Sequence, residues 1–206
     1  MPSLPVAVLH DPAALAGALS EHGVCLLSDF PVPKLGAALH DALKQRQAAG
    51  TLRAAQVGHG KQQHLRIGIR GDDTQWLDDD PEPAATSFLA GLQALRVSLN
   101  QRLYLGLDEE EAHFAFYPVG ACYHRHRDQF QDSDARVLSL VSYLNHDWRQ
   151  DQGGALRLHL PQGSIDVLPH AGTSIIFSSD IEHEVLPATR ERLSIAAWFR
   201  RRSGSL

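Results

Sequence analysis

Cysteine is scarce in this chain, with two in 206 residues, Cys25 and Cys122. Two thiols cannot build a disulfide framework, so a secreted scaffold stapled by bridges is excluded and a reducing cytoplasm is the expected setting. A basic excess is also missing: 19 Lys plus Arg stand against 24 Asp plus Glu, a formal net charge of −5. That balance argues against a nucleic-acid binder with a dominant basic surface. Arg200-Arg201-Arg202 reads as a solvated tail. Long apolar runs are absent, and stretches such as Leu138–Val141 and Ile175–Phe177 are far too short to span a bilayer. Met1–Leu9 lacks the basic start and apolar core of a signal peptide. The expectation is no membrane and no nucleic acid. Methionine occurs once, whereas histidine occurs 12 times, which directs attention to metal chemistry. Hydrophobic residues make up 43%, enough for a sizeable core in a chain of ordinary domain length.

The first half mixes helices and short strands. Asp11-Pro12 offers an N-cap and a first-turn proline, and Ala14, Leu15, Ala18 and Leu19 predict a helix ending near Gly23. Val24–Leu27 reads as a strand and Asp29–Pro33 as a turn. Leu35, Leu39, Ala42 and Leu43 recur at helical spacing. A strand pair is expected to flank Gly58–Lys61, because Leu65–Ile69 alternates. After the acidic connection Asp78–Pro83, Phe88, Leu89, Leu92, Leu95, Val97, Leu99 and Leu103 predict a longer helix.

From His113 the pattern changes to short β-rich runs: Phe114–Tyr117, Val137–Leu144, Ala155–Leu160, Ile165–Leu168, Ser174–Phe177, Val185-Leu186 and Leu193–Phe199. Gly and Pro punctuate them, as in a β sandwich or jelly roll. The expected fold is α+β with a mainly β core, a double-stranded β-helix with supporting N-terminal helices. It forms one domain over 1–206, with helical and strand support in 1–112 and a catalytic β core in 113–200.

Tyr123-His124-Arg125-His126-Arg127-Asp128 carries the most information. On an extended strand, residues i and i+2 share a side, so His126 and Asp128 can reach one point, as can His124. His183 follows just before another strand. Two neutral imidazoles and one carboxylate leave coordination positions open, the facial triad of non-haem Fe(II) oxygenases. An H-x-D pair alone is weak in a His-rich chain. Arg192, nine residues after His183, sharpens it. Taken alone, Arg192 would pair with Glu184 or Glu191. Beside a metal, a buried guanidinium needs an anion, and a dicarboxylate held by a bidentate fork would supply one.

This constellation resembles the 2-oxoglutarate- and Fe(II)-dependent dioxygenases. Phe116-Tyr117-Pro118, Tyr123–Asp128, Tyr143-Leu144-Asn145-His146-Asp147-Trp148, Gly153–Arg157, Ser179-Asp180, His183-Glu184-Val185 and Ala197-Trp198-Phe199 are similar to the hypoxia-sensing, EGL-nine type prolyl hydroxylases. Ile69-Arg70-Gly71-Asp72 with Trp76-Leu77 resembles their substrate-covering loop. The resemblance covers roughly residues 24 to 200 and is to a bacterial branch. It implies prolyl C4 hydroxylation of a protein, with elongation factor Tu as the suggested target and release of succinate and CO₂. It implies Fe(II), with 2-oxoglutarate and O₂ as co-substrates and ascorbate as an accessory reductant. His126, Asp128 and His183 would hold the metal. Arg192 would bind the distal carboxylate, helped by Tyr143. Tyr117, Tyr123 and Trp198 would line the co-substrate pocket, and Arg70, Asp72 and Trp76 would meet substrate from the lid around Gly58 to Trp76. The chain departs from the family at Arg127, where an apolar residue is usual.

Within the oxygenases, the alternative is hydroxylation of another protein residue or of a small molecule, and two rival classes stay open beside it. A metal hydrolase shares the ligand types, but no His-Glu-x-x-His helix is present. A non-catalytic β sandwich that binds a metal or dicarboxylate is the other, since fold does not imply activity.

Overall fold

The computed structural model describes residues 4–55, 70–79, 82–129 and 135–202. Its helices begin and end where local chemistry says they should. Helix α1 (Pro12–His22) starts with the Asp11 carboxylate accepting from the Ala14 N–H at 3.0 Å. It closes on Gly23, whose φ of 69° suits a residue without a Cβ. Helices α2 (Pro33–Ala49) and α3 (Pro83–Leu103) each place proline in the first turn, where its missing N–H costs nothing.

Each helix buries one stripe: Leu15, Ala16 and Leu19 in α1, Leu39, Ala42 and Leu43 in α2, and Ala85, Phe88, Leu92, Leu95 and Leu99 in α3. Two expected core positions are corrected. Ala14 is exposed, and Val97 is 46% exposed. Val97 lies two residues from both Leu95 and Leu99, on the opposite side of a 3.6-residue helix.

The described residues form twelve strands in chain order: β1 (Val6–Ala7), β2 (Val24–Leu27), β3 (Arg53–Ala54), β4 (Asp73–Trp76), β5 (Leu107–Tyr117), β6 (Tyr123–His126), β7 (Arg136–Tyr143), β8 (Leu156–Leu160), β9 (Gly163–Val167), β10 (Ser174–Ser178), β11 (His183–Val185) and β12 (Arg192–Arg201). They form an eight-stranded sheet, ordered β1-β2-β10-β7-β12-β5-β4-β3, and a four-stranded sheet, ordered β6-β11-β8-β9. This is the expected jelly roll backed by helices. The alternating segment Leu65–Ile69 lies outside the described residues, as do His59, His64 and most of the expected lid. The strands flanking that gap, β3 and β4, do pair antiparallel.

The boundary expected at 112/113 falls inside β5, and β1 to β4 also join the major sheet. The reason is alternation. On β5, β7 and β12, one set of side chains faces the helices and the next set faces the minor sheet. Phe114, Phe116, Leu138, Leu140, Leu193, Ile195 and Phe199 pack with Leu39, Leu43, Phe88 and Leu92. Ala115, Tyr117 and Tyr143 pack instead with Leu156, Leu158, Ile175 and Phe177 between the sheets. Each fully buried Leu or Phe contributes about 1.5–3 kcal/mol relative to exposure. The helices therefore cover a sheet face that could not stand in water. Among the described residues, no helix is long and apolar enough to cross a membrane.

Candidate active site

The minor sheet brings the candidate ligands together by register. His183 on β11 is the cross-strand partner of His126 on β6, and their ring centroids lie 4.2 Å apart. Asp128 follows β6 directly, and its backbone N–H donates to the Ser179 carbonyl at 3.1 Å. Its Oδ1 lies 3.7 Å from Nε2 of His126, and its Oδ2 lies 3.5 Å from Nε2 of His183. One ligand atom from each of the three residues lies within 4.8 Å of the others.

Both imidazoles are oriented by backbone. Nδ1 of His126 donates to the His124 carbonyl at 2.7 Å, and Nδ1 of His183 donates to the Ile181 carbonyl at 3.0 Å. Each Nε2 is thereby left as the electron-pair donor. His124 contributes this carbonyl rather than its ring, which is exposed. Arg127 points away from the cluster, toward Glu182 at 3.8 Å. The Tyr123 ring stacks on His126 at 3.5 Å and 15°, fixing its plane from the other side.

Electrostatics suit metal ligation. Burial opposes ionisation of Asp128, but His183, His126 and Arg136 outweigh it and hold the carboxyl far below its usual range. Burial also depresses His183, so its imidazole is neutral at lower pH than a solvated one. A charged carboxylate beside neutral imidazoles is the protonation state that a divalent metal requires.

Arg192 begins β12 on the inner face, opposite Tyr117 of β5. It is 1% exposed, and no acidic residue among the described residues pairs with it. Glu191 instead pairs with Lys44, and Glu184 with His159. Nε of Arg192 donates to the Gly154 carbonyl and Nη1 to Ser194 Oγ, both at 2.9 Å. Its Nη2 is buried without a partner, as is the hydroxyl of Tyr143. The Arg192 guanidinium lies 5.1 Å from the Tyr117 ring centroid and 5.4 Å from that of Tyr143. Burial pushes both phenols well above their ordinary range, so they remain neutral O–H groups. A cation and a neutral donor, buried side by side without acceptors among the described residues, call for an anion.

A family model described as the 2OG-Fe(II) oxygenase superfamily matches residues 112–200. Human prolyl hydroxylase EGLN3 is 31% identical over 192 residues, covering 88% of this chain and 80% of that protein. The chain belongs to the 2OG-Fe(II) oxygenases, in the EGL-nine type prolyl hydroxylase branch. The crystal structure of a Pseudomonas putida prolyl-4-hydroxylase matches this oxygenase with a TM-score of 0.84 and 43% identity, over 93% of this chain and 99% of that one. A Trichoplax adhaerens prolyl hydroxylase, solved with a hypoxia inducible factor oxygen degradation domain peptide fragment, shares the fold. Its TM-score is 0.84 at 24% identity, over 93% of this chain and 90% of that one.

Fe(II), 2-oxoglutarate and O₂ are the cofactor and co-substrates of this oxygenase, and the residues present fit them. Two oriented imidazoles and a carboxylate suit Fe(II). The orphan donors on Arg192 and Tyr143 suit a carboxylate.

The remaining expected residues form one aromatic and ionic cluster. Trp198 is buried, and its Nε1 has no partner. Its ring lies 3.8 Å from the Arg136 guanidinium and 6.4 Å from the Trp76 ring, which is 39% exposed. Arg70 and Asp72 are placed differently from what a substrate-facing pair requires. Asp72 is 2% exposed, and Arg70 grips it through Nε at 2.7 Å and Nη2 at 3.0 Å. The Arg70 guanidinium also covers the Tyr123 ring at 4.9 Å. The pair thus holds the start of the chain leading into β4 against the ring stacked on His126.

Sequence patterns did not point to a role for Ser139, Ser194 or His113, because buried serines and a buried histidine on a strand carry no local signature; Ser179 stood out only as part of the Ser179-Asp180 resemblance. His113 is 3% exposed, and its Nε2 lies 3.2 Å from Nη2 of Arg70. Its Nδ1 faces the Phe114 carbonyl at 2.9 Å, so Nδ1 donates and Nε2 accepts. Burial first, then Arg70, lower its pKa from 6.5 to about 4. Because the folded value lies below the unfolded one, the unfolded chain binds more protons between these values. Stability should therefore fall as pH drops from 6.5 to 4, with this residue costing on the order of 3 kcal/mol at the lower end. Denaturant unfolding at pH 7 and pH 5 should show a smaller difference for His113→Gln than for wild type. Equal pH dependence in both would show that His113 is not the group responsible.

Proposed function

We propose that this oxygenase hydroxylates C4 of a prolyl residue in a protein, coupled to conversion of 2-oxoglutarate and O₂ to succinate and CO₂. The observation that carries this reading is the pair of orphan donors on Arg192 and Tyr143, buried in the same inter-sheet space that the His126–Asp128–His183 cluster borders. A zinc hydrolase would use the three ligands but would have no need of an anion clamp behind them.

In this reading His126, Asp128 and His183 hold Fe(II) on one face. Bound Fe(II) supplies the O₂ activation that oxidises 2-oxoglutarate and inserts oxygen into a C–H bond. Arg192 and Tyr143 orient the co-substrate by its distal carboxylate, which requires no proton transfer because both are donors over the whole working range. Tyr117 and Trp198 wall the pocket with buried rings and exclude water. Tyr123 holds the His126 ring, and Arg70, gripping Asp72 and covering the Tyr123 ring, braces that stack. Trp76, exposed beside Trp198, offers an aromatic platform to a prolyl ring.

A prolyl substrate is supported by the likeness to prolyl hydroxylases over most of the chain. A protein rather than free proline is supported by the exposed Trp76 at the edge of the cluster, whose contacts with a larger partner would add binding energy remote from the metal. Elongation factor Tu is the candidate that the bacterial resemblance suggests. The two free thiols, Cys25 and Cys122, suit a reducing compartment such as the cytoplasm, and ascorbate would serve as reductant.

Incubating the purified oxygenase with Fe(II), 2-oxoglutarate, O₂ and elongation factor Tu should add one oxygen atom to a prolyl residue, located by tandem mass spectrometry. Trp76→Ala should slow that hydroxylation about tenfold or more, while uncoupled 2-oxoglutarate turnover persists. Faster hydroxylation of free proline or of an unrelated metabolite would leave the oxygenase chemistry standing but remove the prolyl-protein assignment.

A further inference from the structure

The two oxygens of Asp128 have different surroundings. Oδ2 accepts a hydrogen bond from Ser139 Oγ at 2.7 Å, and Ser139 Oγ lies 2.9 Å from Ser179 Oγ. Both serines are 1% exposed. Proton directions follow from the acceptor-only carboxylate. Ser139 must give its single proton to Oδ2, so Ser179 donates to Ser139. The Ser179 carbonyl also accepts from the Asp128 and Gln129 N–H groups at 3.1 and 3.0 Å. Ser179 therefore fixes the backbone of Asp128 directly and its side chain through Ser139. The same connection delivers His183 four residues later, so one segment sets both the third ligand and the carboxylate.

We propose that Ser139, backed by Ser179, is a positioning residue that engages Oδ2 of Asp128 and so limits this carboxylate to a single metal-ligating oxygen. A carboxylate can bind a metal through one oxygen or two. The worth of a three-residue ligand set lies in the positions it leaves open. A second Asp128 oxygen would take one of them, in competition with 2-oxoglutarate. A hydrogen bond of 2.7 Å to a charged oxygen is strong, and in a dry site its loss leaves that oxygen in need of another partner. Ser139 lies on β7 directly opposite Trp198 of β12 and is 1% exposed, so its hydroxyl is enclosed rather than turned to solvent.

The proposal rests on the assignment of His126, Asp128 and His183 as ligands, and Co(II) titration of the metal-free protein separates the two claims. In wild type, Co(II) should bind with a visible spectrum that His126→Ala abolishes. Ser139→Ala should still bind Co(II), with absorption bands altered toward higher coordination. Its Co(II) form should bind 2-oxoglutarate about tenfold more weakly. Ser139→Thr, which restores the hydroxyl, should return both readouts toward wild type. Ser179→Ala, which keeps the Ser139 donor but removes its support, should shift both in the same direction by less, and it decides the matter if Ser139→Ala does not fold. A Ser139→Ala protein with wild-type spectrum and 2-oxoglutarate affinity would overturn the proposal alone. Undiminished Co(II) binding by His126→Ala would overturn the ligand assignment and the proposal together.

Discussion

Alanine at Arg192 is expected to raise the KM for 2-oxoglutarate by about 30-fold to several thousand-fold, the equivalent of roughly 2–5 kcal/mol for losing one partner of a buried charge pair. The size follows from the surroundings. Arg192 is 1% exposed, and its Nη2 has no acceptor. Removing it leaves the incoming carboxylate with the neutral Tyr143 hydroxyl and without a buried countercharge. Lysine should recover a fraction of the loss, because an ammonium cannot form two parallel contacts. It would also abandon the bonds to Gly154 and Ser194 that aim the guanidinium. Metal affinity should change far less, since Arg192 is not among the clustered ligands. Steady-state kinetics over a 2-oxoglutarate series, with metal titration alongside, would check both parts. An unchanged KM in both variants would show that Arg192 serves only the fold.

The second large effect is expected at His126. His126→Ala should abolish most Fe(II) binding and most turnover while leaving circular dichroism and thermal unfolding near wild type. His126 sits at the end of a four-residue strand at the edge of the minor sheet, and neither hydrophobic cluster includes it. Loss of one of three ligands removes the chelate that makes the site bind at all. Acidification should mimic the variant. Both imidazoles must be neutral to ligate, so metal binding should weaken as pH falls; burial lowers the pKa of His183, which makes this ligand more resistant to protonation than a solvated imidazole. Iron content after gel filtration, measured over a pH series, would test this. Wild-type iron and turnover in His126→Ala would sink the ligand assignment.

Much of the architecture was legible because it depends on local chemistry. Asp11, Pro12 and Gly23 marked α1 through an acceptor for a free N–H, a residue that needs no donor and a positive φ. Val24–Leu27 was legible as a short apolar strand. Alternation on β12 separated Arg192, Ser194 and Trp198 from Leu193, Ile195 and Phe199 before any partner was known. Single side chains are less legible than elements. Val97 belongs to an apolar pattern but lies off the stripe that meets the sheet. The Arg70–Asp72 grip and its cover over the Tyr123 ring, 51 residues from Asp72, carry no signature in the sequence.

By itself the sequence determined the ligand types, the short H-x-D spacing that keeps two of them close together, and the presence of an arginine downstream; the structure places His126 at the end of β6 and Asp128 just past it. Only the tertiary structure decided that Nη2 of Arg192 and the Tyr143 hydroxyl are both left without acceptors, and that Ser139 and Ser179 grip one oxygen of Asp128. The physical reason is range. Side-chain periodicity is a property of neighbouring residues and specifies a face. Which groups meet across that face depends on the pairing of strands that lie 11 to 51 residues apart between Asp128, Ser139 and Ser179, and on burial that turns a missing partner into a demand for a ligand.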